Sequence, residues 1–94
     1  MVEEKKLMVE LLTALFPDSK IYLFGSRARK DYKESSDIDI AIDIGRKMTI
    51  QELSRAKNVL EGLNIPEKID VVDMQSIPEN LKTIILTEGI IWKG

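Results

Sequence analysis

The 94-residue sequence predicts an α/β (α+β) fold, a small mixed β-sheet of three to four strands flanked by helices. Two observations support this prediction. Apolar residues recur at helical spacing in several segments, and short apolar runs bounded by turn-forming residues lie between these segments. Because 44% of the residues are apolar, the chain can form one packed core, and we predict a single domain over residues 1–94.

The first half of the chain is predicted to hold a helix and two strands. The helix covers Glu3 to Phe16, ends at Pro17 and has an apolar stripe of Leu7, Met8, Leu11, Leu12 and Leu15. "KIYLFGS" follows as a strand that is apolar on both faces, which is typical of a central strand. A short helix is predicted near Arg27 to Lys30, then the loop "KDYKESS" and a second strand, "DIDIAID".

The second half is predicted to alternate between helices and strands. The capping box "TIQE", with Thr49 at the N-cap and Glu52 three residues later, begins a helix whose apolar stripe is Ile50, Leu53, Leu60 and Leu63. "KIDVVDM" is predicted to be the third strand. "SIPE" begins the last helix, which ends at Gly89 and faces inward with Leu81, Ile84 and Ile85. "IIWKG" is predicted to add a short strand.

The composition excludes several kinds of site. The chain has no cysteine and no histidine, so disulfides, thiolate or imidazole metal sites and a histidine base are excluded. The net charge of -2 gives no general attraction for nucleic acid, and we expect no direct nucleic-acid binding. No signal-peptide pattern and no apolar run of roughly 20 residues occurs, which predicts a cytoplasmic protein without a membrane partner.

The strand "DIDIAID" has an unusual polar face. Its isoleucines point one way, and the other positions point the opposite way: Asp37, Asp39, Ala41 and Asp43. Aspartate is disfavoured in strands, and carboxylates two positions apart repel each other unless a cation lies between them. Oxygen ligands alone indicate a hard ion, Mg²⁺ or Mn²⁺. The strand by itself leaves two interpretations open, a metal site and a solvated sheet face.

A glycine and a serine directly after the first strand favour the metal interpretation. Gly25 allows the backbone to approach a ligand, and Ser26 offers a hydroxyl and a backbone N–H to an anion. A cationic cluster follows, formed by Arg27, Arg29, Lys30 and Lys33. An anion site beside a hard-metal site predicts a nucleoside triphosphate as the ligand, because Mg²⁺ bridges phosphates to carboxylates.

These residues resemble a known family. The spacing from Gly25-Ser26 to Asp37 and Asp39 resembles the signature of the DNA polymerase β-like nucleotidyltransferase superfamily. "GSRARKDYKESSDIDIAI" is similar to the minimal nucleotidyltransferases, the MNT antitoxins encoded beside HEPN-domain toxins. The resemblance extends to "IDVVD" and "LKTIILTEGIIW" and so covers nearly the whole chain. It implies the nucleotidyltransferase fold. Lys30 stands where many relatives have glycine.

The family pattern implies a third carboxylate on an adjacent strand. "KIDVVDM" offers Asp70 and Asp73, whose side chains have opposite parity on the strand. Asp70 matches the family position and lies within the strand, and we therefore select it. Asp73 is assigned to a strand end or turn, and Asp43 is assigned to structure.

The resemblance also implies the role of each site residue. Asp37, Asp39 and Asp70 are the implied catalytic residues and ligands of Mg²⁺, or of Mn²⁺. The implied nucleotide-binding residues hold the triphosphate of the substrate ATP, and they are Gly25, Ser26, Arg27 and Arg29. Asp70 completes a second metal position or accepts the proton of the incoming hydroxyl.

The implied partner is a HEPN-domain toxin. By this resemblance the protein is an adenylyltransferase antitoxin that transfers AMP from ATP to a tyrosine of the toxin and so neutralises its ribonuclease. Three alternatives remain open: a non-catalytic antitoxin that occludes the toxin, a nucleotidyltransferase that acts on a small molecule or RNA ends, and a purely structural domain. Self-association into a homo-oligomer also remains open.

Overall fold

The computed structural model describes residues 2–29 and 37–94. Within them it has three helices and four strands: α1 (Val2–Leu15), β1 (Lys20–Phe24), β2 (Ile38–Asp43), α2 (Ile50–Glu61), β3 (Ile69–Asp73), α3 (Glu79–Glu88) and β4 (Ile90–Lys93). This architecture confirms the predicted fold class. The predicted loop "KDYKESS", with Lys30 and Lys33, lies outside the described residues. None of the helices in the described ranges has the length and hydropathy needed to cross a membrane.

The four strands form one mixed sheet in the order β3-β2-β1-β4. β1 runs antiparallel to both β2 and β4, whereas β2 and β3 are parallel. β1 is therefore an interior strand, as its apolar faces predict. Parallel strands need a crossover connection, and α2 supplies it between β2 and β3.

The two faces of the sheet are covered by different helices. α1 and α2 cover the face of Ile38, Ile40 and Ile42, which are fully buried. A smaller cluster on the other face joins the sheet to α3 and consists of Tyr22, Ala41, Met74 and Ile85. The side chains of "DIDIAID" therefore alternate between the two faces of the sheet, as predicted. The isoleucines lie in the main core, and Asp39 lies on the face that α3 covers.

Three predicted inward-facing residues are exposed instead, namely Leu7 (47%), Ile50 (83%) and Ile84 (43%). In α1 the buried line runs through Met8 and Leu12, and Leu7 lies about 100° round the helix from Met8. Ile50 is the first residue of α2, where the helix has just begun and the side chain projects past the core. Ala56, which is not part of the predicted apolar stripe, is fully buried.

The segment after β1 differs from the predicted short helix. Over residues 26–29 the chain makes two successive turns, in which the Ala28 N–H donates to the Gly25 carbonyl and the Arg29 N–H to the Ser26 carbonyl, both at 3.1 Å. Such i to i+3 bonds wind the backbone more tightly than an α-helix. The part of the prediction that concerns Lys30 lies outside the described residues.

The predicted helix ends are partly confirmed. Thr49 and Glu52 form the reciprocal capping box at the start of α2. "SIPE" does precede α3, but the Ser76 hydroxyl donates to Asp73 at 2.6 Å instead of capping the helix. Gly89 follows α3 in an extended conformation, with φ -71° and ψ 159°. A Cβ there would press on the carbonyl oxygen of Ile85, so glycine is needed for close approach and not for a left-handed turn.

Candidate active site

The parallel pairing of β2 and β3 brings two carboxylates together. Asp39 on β2 is the register partner of Asp70 on β3, and both lie on the sheet face that α3 covers. Adjacent strands in a sheet are roughly 4.8 Å apart, so side chains paired in register on one face are neighbours. Two of the three predicted acidic site residues therefore meet directly.

Asp37 lies at the rim of this pair. It directly precedes β2 and its side chain is exposed, with the same parity as Asp39. Among residues 2–29 and 37–94, no three acidic side chains are arranged so that they could hold a metal ion as they stand. Asp39 and Asp70 are therefore neighbours, as predicted, whereas Asp37 lies just before β2 with an exposed side chain.

Gly25 forms the third side of the site. It has a positive φ of 77°, which a residue with a side chain rarely adopts. A Cβ on Gly25 would also collide with Oδ2 of Asp39, because Phe24 pairs with Asp39 across β1 and β2. The glycine therefore serves two purposes, the bend itself and the space in which the Asp39 carboxylate lies.

The electrostatics of the pair depend on burial and like charge. Burial raises the pKa of Asp39 above its usual value, and the negative charges of Asp70 and then Asp37 raise it further. The positive charge of Lys68 acts in the opposite direction. Asp39 thus lies where a positive charge is needed to stabilise its ionised form.

The predicted nucleotide-binding residues occupy different environments. Ser26 is half-buried in the turn that follows Gly25, and Arg29 is exposed. Arg27, in contrast, is buried, and its guanidinium lies 3.8 Å from Glu67 Oε1 in the segment before β3. Hydrogen bonds lower the pKa of Glu4 on α1, and the charge of Arg27 makes a smaller contribution in the same direction. Arg27 therefore connects the turn to neighbouring segments, and its direct contact with phosphate stays a prediction.

A cleft of about 640 Å³ runs from the carboxylate pair along the edge strand β3. The described residues that line it come from three strands, two helices and the segment before β3. They are Phe24 of β1, Asp39 of β2, Lys57, Leu60 and Glu61 of α2, Leu63, Ile65, Glu67 and Lys68 before β3, Ile69, Asp70, Val71 and Val72 of β3, and Leu81 of α3. A nucleotide-sized ligand fits a cleft of this volume. Its lining combines apolar side chains with the two carboxylates.

The other two aspartates of the strands have structural partners. Asp43 accepts hydrogen bonds from the Gly45 N–H at 2.8 Å and from Gln75 Nε2 at 3.0 Å. Asp73 is 4% exposed and accepts bonds from the Met48 N–H, the Gln75 N–H and the Ser76 hydroxyl. Both lie at strand ends and bind residues of the following turns, which agrees with the structural roles predicted for them.

Lys68 is a residue of this site that the sequence analysis missed. Its Nζ lies 3.7 Å from Asp70 Oδ1, and its side chain lines the cleft. Lys68 directly precedes β3 and stands two residues before Asp70, a spacing from which the sequence could have predicted that the two side chains lie on the same side of the chain.

A small mixed sheet whose neighbouring strands carry paired carboxylates beside a glycine–serine bend is typical of domains that transfer nucleotides. The family model described as Polymerase beta, Nucleotidyltransferase matches residues 11–92. The chain therefore belongs to the polymerase β nucleotidyltransferase family, which confirms the resemblance seen in its motif.

Relatives and solved structures agree with this assignment. A relative from Methanocaldococcus jannaschii, named as a protein adenylyltransferase, is 40% identical over 68 residues, which are 72% of this chain and 72% of the relative. A crystal structure of a toxin–antitoxin with AMP-PNP matches with a TM-score of 0.81 at 26% identity, over 96% of this chain and 73% of the other. The complex of the tri-AMPylated Shewanella oneidensis HEPN toxin with its MNT antitoxin matches with a TM-score of 0.76 at 25% identity, over 97% and 70%.

Gly25→Ala is expected to damage both stability and the site. The positive φ at this position and the contact with Asp39 are each unfavourable for an alanine, and we expect a loss of about 1–3 kcal/mol in the free energy of unfolding. Urea denaturation measures this loss. Gly45→Ala is the matched control, since Gly45 has a similar φ of 83° but open space around its Cβ position. Equal losses in the two variants would show that the contact with Asp39 is unimportant.

Proposed function

We propose that this protein is a Mg²⁺-dependent protein adenylyltransferase, the antitoxin of a toxin–antitoxin pair. It transfers AMP from ATP to a tyrosine hydroxyl of a HEPN toxin and so neutralises the toxin's ribonuclease. The observation that carries the proposal is the in-register pair of Asp39 and Asp70 beside Gly25. Further support comes from the relative named as a protein adenylyltransferase and from the structural match to an AMPylated toxin with its antitoxin.

The donor set fits a hard divalent ion. The described acidic residues at the site offer only carboxylate oxygens, which Mg²⁺ and Mn²⁺ prefer, and the chain has no cysteine or histidine to favour a softer metal. Asp39 and Asp70 would hold the ion, with Asp37 joining from the exposed end of β2. When bound, the ion neutralises charge on the triphosphate and on the leaving pyrophosphate.

The bend at Gly25 and Ser26 is assigned to the triphosphate. Because Gly25 has no side chain, the Asp39 carboxylate lies directly against the bend, so a metal ion on Asp39 would place the phosphates beside the backbone of Ser26. Ser26 adds a hydroxyl donor, and the exposed Arg29 adds positive charge as negative charge builds on the leaving group. Arg27 is also assigned to the triphosphate, and its buried guanidinium, 3.8 Å from Glu67 Oε1, connects the turn to the segment before β3.

The transfer step forms one bond and breaks one. The tyrosine oxygen attacks the α-phosphorus of ATP, the bond from that phosphorus to the bridging oxygen breaks, and pyrophosphate leaves with the electron pair. We assign the hydroxyl proton to the carboxylate oxygen of Asp70 that does not hold the ion, because this side chain is 44% exposed and can meet an acceptor that arrives from solvent. The product is a phosphodiester between tyrosine and AMP.

Incubation with a HEPN toxin that binds this protein, Mg²⁺ and ATP labelled at the α-phosphate tests the proposal. We expect label on the partner, and none when the label is at the γ-phosphate, because a kinase would give the reverse. Replacement of the acceptor tyrosine by phenylalanine should abolish the label. Absence of α-label on the partner would overturn the proposal.

Neutralisation by occlusion predicts a different result in the same system. An Asp37→Ala/Asp39→Ala double variant that still suppresses the partner's ribonuclease would show that binding alone is sufficient. The proposed function predicts that this variant binds the partner and fails to silence it.

A further inference from the structure

Lys68 is placed to act on the carboxylate pair. It directly precedes β3, and its carbonyl oxygen accepts a hydrogen bond from the Ile38 N–H at 2.8 Å, which fixes its backbone beside β2. Its side chain is 71% exposed and reaches into the cleft, where Nζ lies 3.7 Å from Asp70 Oδ1. The backbone is therefore held by the sheet while the ammonium group can change partners.

The charge of Lys68 reaches beyond Asp70. Asp39 is the register partner of Asp70 on the neighbouring strand, so the ammonium lies beside both carboxylates. Lys68 thus supplies positive charge in the region that the proposed function assigns to a divalent ion. An exposed lysine–carboxylate pair at this distance is weak, so a divalent ion that takes over Asp70 displaces the ammonium at little cost.

We propose that Lys68 is a nucleotide-binding residue whose ammonium moves from Asp70 to the triphosphate when the nucleotide binds. Without ligand it neutralises Asp70, and when Asp70 engages the metal the ammonium turns to the triphosphate. This inference rests on the proposed function, because it assumes that the carboxylate pair binds a metal and the cleft binds a nucleotide. Lysine suits the task, since its ammonium is a compact charge on a flexible four-carbon stem.

The exchange predicts opposite effects of one substitution on two binding constants. In Lys68→Gln the ammonium no longer competes, and Mn²⁺ should bind the nucleotide-free protein more tightly, by roughly two- to fivefold. At saturating Mn²⁺, AMP-PNP should bind more weakly, by about tenfold, because a charged contact with phosphate is lost. Isothermal titration calorimetry measures both constants, and electron paramagnetic resonance of free Mn²⁺ checks the first.

Lys57→Gln is the matched control, since Lys57 lines the same cleft from α2 and the substitution removes the same charge. Both constants should change less than twofold in this variant. Lys68→Arg, which keeps the charge, should restore nucleotide affinity to within about threefold of the parent. Thermal unfolding of each variant verifies that the fold is retained.

Two results would overturn the inference. One is a Lys68→Gln variant in which both constants stay within twofold of the parent, and the other is a change of both in the same direction, as a structural role would produce. These results are separable from the fate of the proposed function. If the two constants shift in opposite directions but no label reaches the toxin, the role of Lys68 stands and the adenylyl transfer is refuted. If label reaches the toxin but the two constants do not change, the transfer stands and the role of Lys68 is refuted.

Discussion

Asp39→Asn is expected to reduce adenylyl transfer to the partner toxin by roughly 10²- to 10³-fold, the effect of losing one preorganised electrostatic group. The substitution keeps the size of the side chain and its place against Gly25 but removes the negative charge that the proposed metal site needs. Initial rates with α-labelled ATP at saturating Mg²⁺ measure the effect. Asp43→Asn is the matched control, on the same strand and face but bonded to Gly45 and Gln75, and should retain most of the activity.

The same variant should be more stable than the parent near neutral pH. The pKa of Asp39 is raised in the folded protein by burial and by the charges of Asp70 and Asp37. The folded state then binds more protons than the unfolded state between the two pKa values, and the stability of the parent falls as pH rises through that window. In Asp39→Asn this dependence disappears. Urea denaturation of the parent and of Asp39→Asn, without metal and from pH 4 to 8, measures this dependence. If the parent gains stability relative to Asp39→Asn as the pH rises, the raised pKa of Asp39 is contradicted.

Asp73→Ala is expected to lower the free energy of unfolding by about 3 kcal/mol or more. The carboxylate is 4% exposed and accepts three hydrogen bonds, from the Met48 N–H at 2.8 Å, the Gln75 N–H at 3.1 Å and the Ser76 hydroxyl at 2.6 Å. Truncation leaves these donors without their acceptor, and bonds to a charged group are the stronger kind. A loss of this size is a large part of the roughly 5–15 kcal/mol that stabilises a small domain.

Chemical denaturation measures the loss, and Asp73→Asn separates its causes. Asparagine keeps the shape of the side chain and one carbonyl oxygen, so we expect it to cost less than alanine. If Asp73→Ala loses under about 1 kcal/mol, the hydrogen bonds do not anchor the segments before α2 and α3. Neither variant alters the carboxylate pair, and the residual folded protein should still transfer AMP.

The strand that carries the site could be predicted from the sequence because alternation along β2 leaves little choice. Isoleucines at every second position require one buried face, and this places Asp39 on the opposite face whatever the neighbouring strands do. Parity also distinguishes Asp70 from Asp73 on β3, and the structure puts Asp70 beside Asp39 while Asp73 is buried among turn residues.

Other features depend on contacts that no local pattern contains. The register that pairs Asp39 with Asp70 is set by how β3 packs after the α2 crossover, which the sequence of neither strand specifies. In the sequence Arg27 is one of several cations in a basic run. In the structure it is buried beside Glu67, which lies 40 positions away along the chain, and no local pattern predicts that contact. The exposure of Leu7 could not be predicted for another reason, since periodicity gives the direction of a helix face and not its width.

The most direct test of the site is a crystal structure of the protein with Mn²⁺ and AMP-PNP, with anomalous diffraction used to locate the metal. We predict an anomalous peak bound by Asp39 and Asp70, with the triphosphate against Gly25 and Ser26 in the cleft beside β3. A metal peak away from these two carboxylates, or a nucleotide bound on the sheet face that α1 and α2 cover, would contradict the assignment.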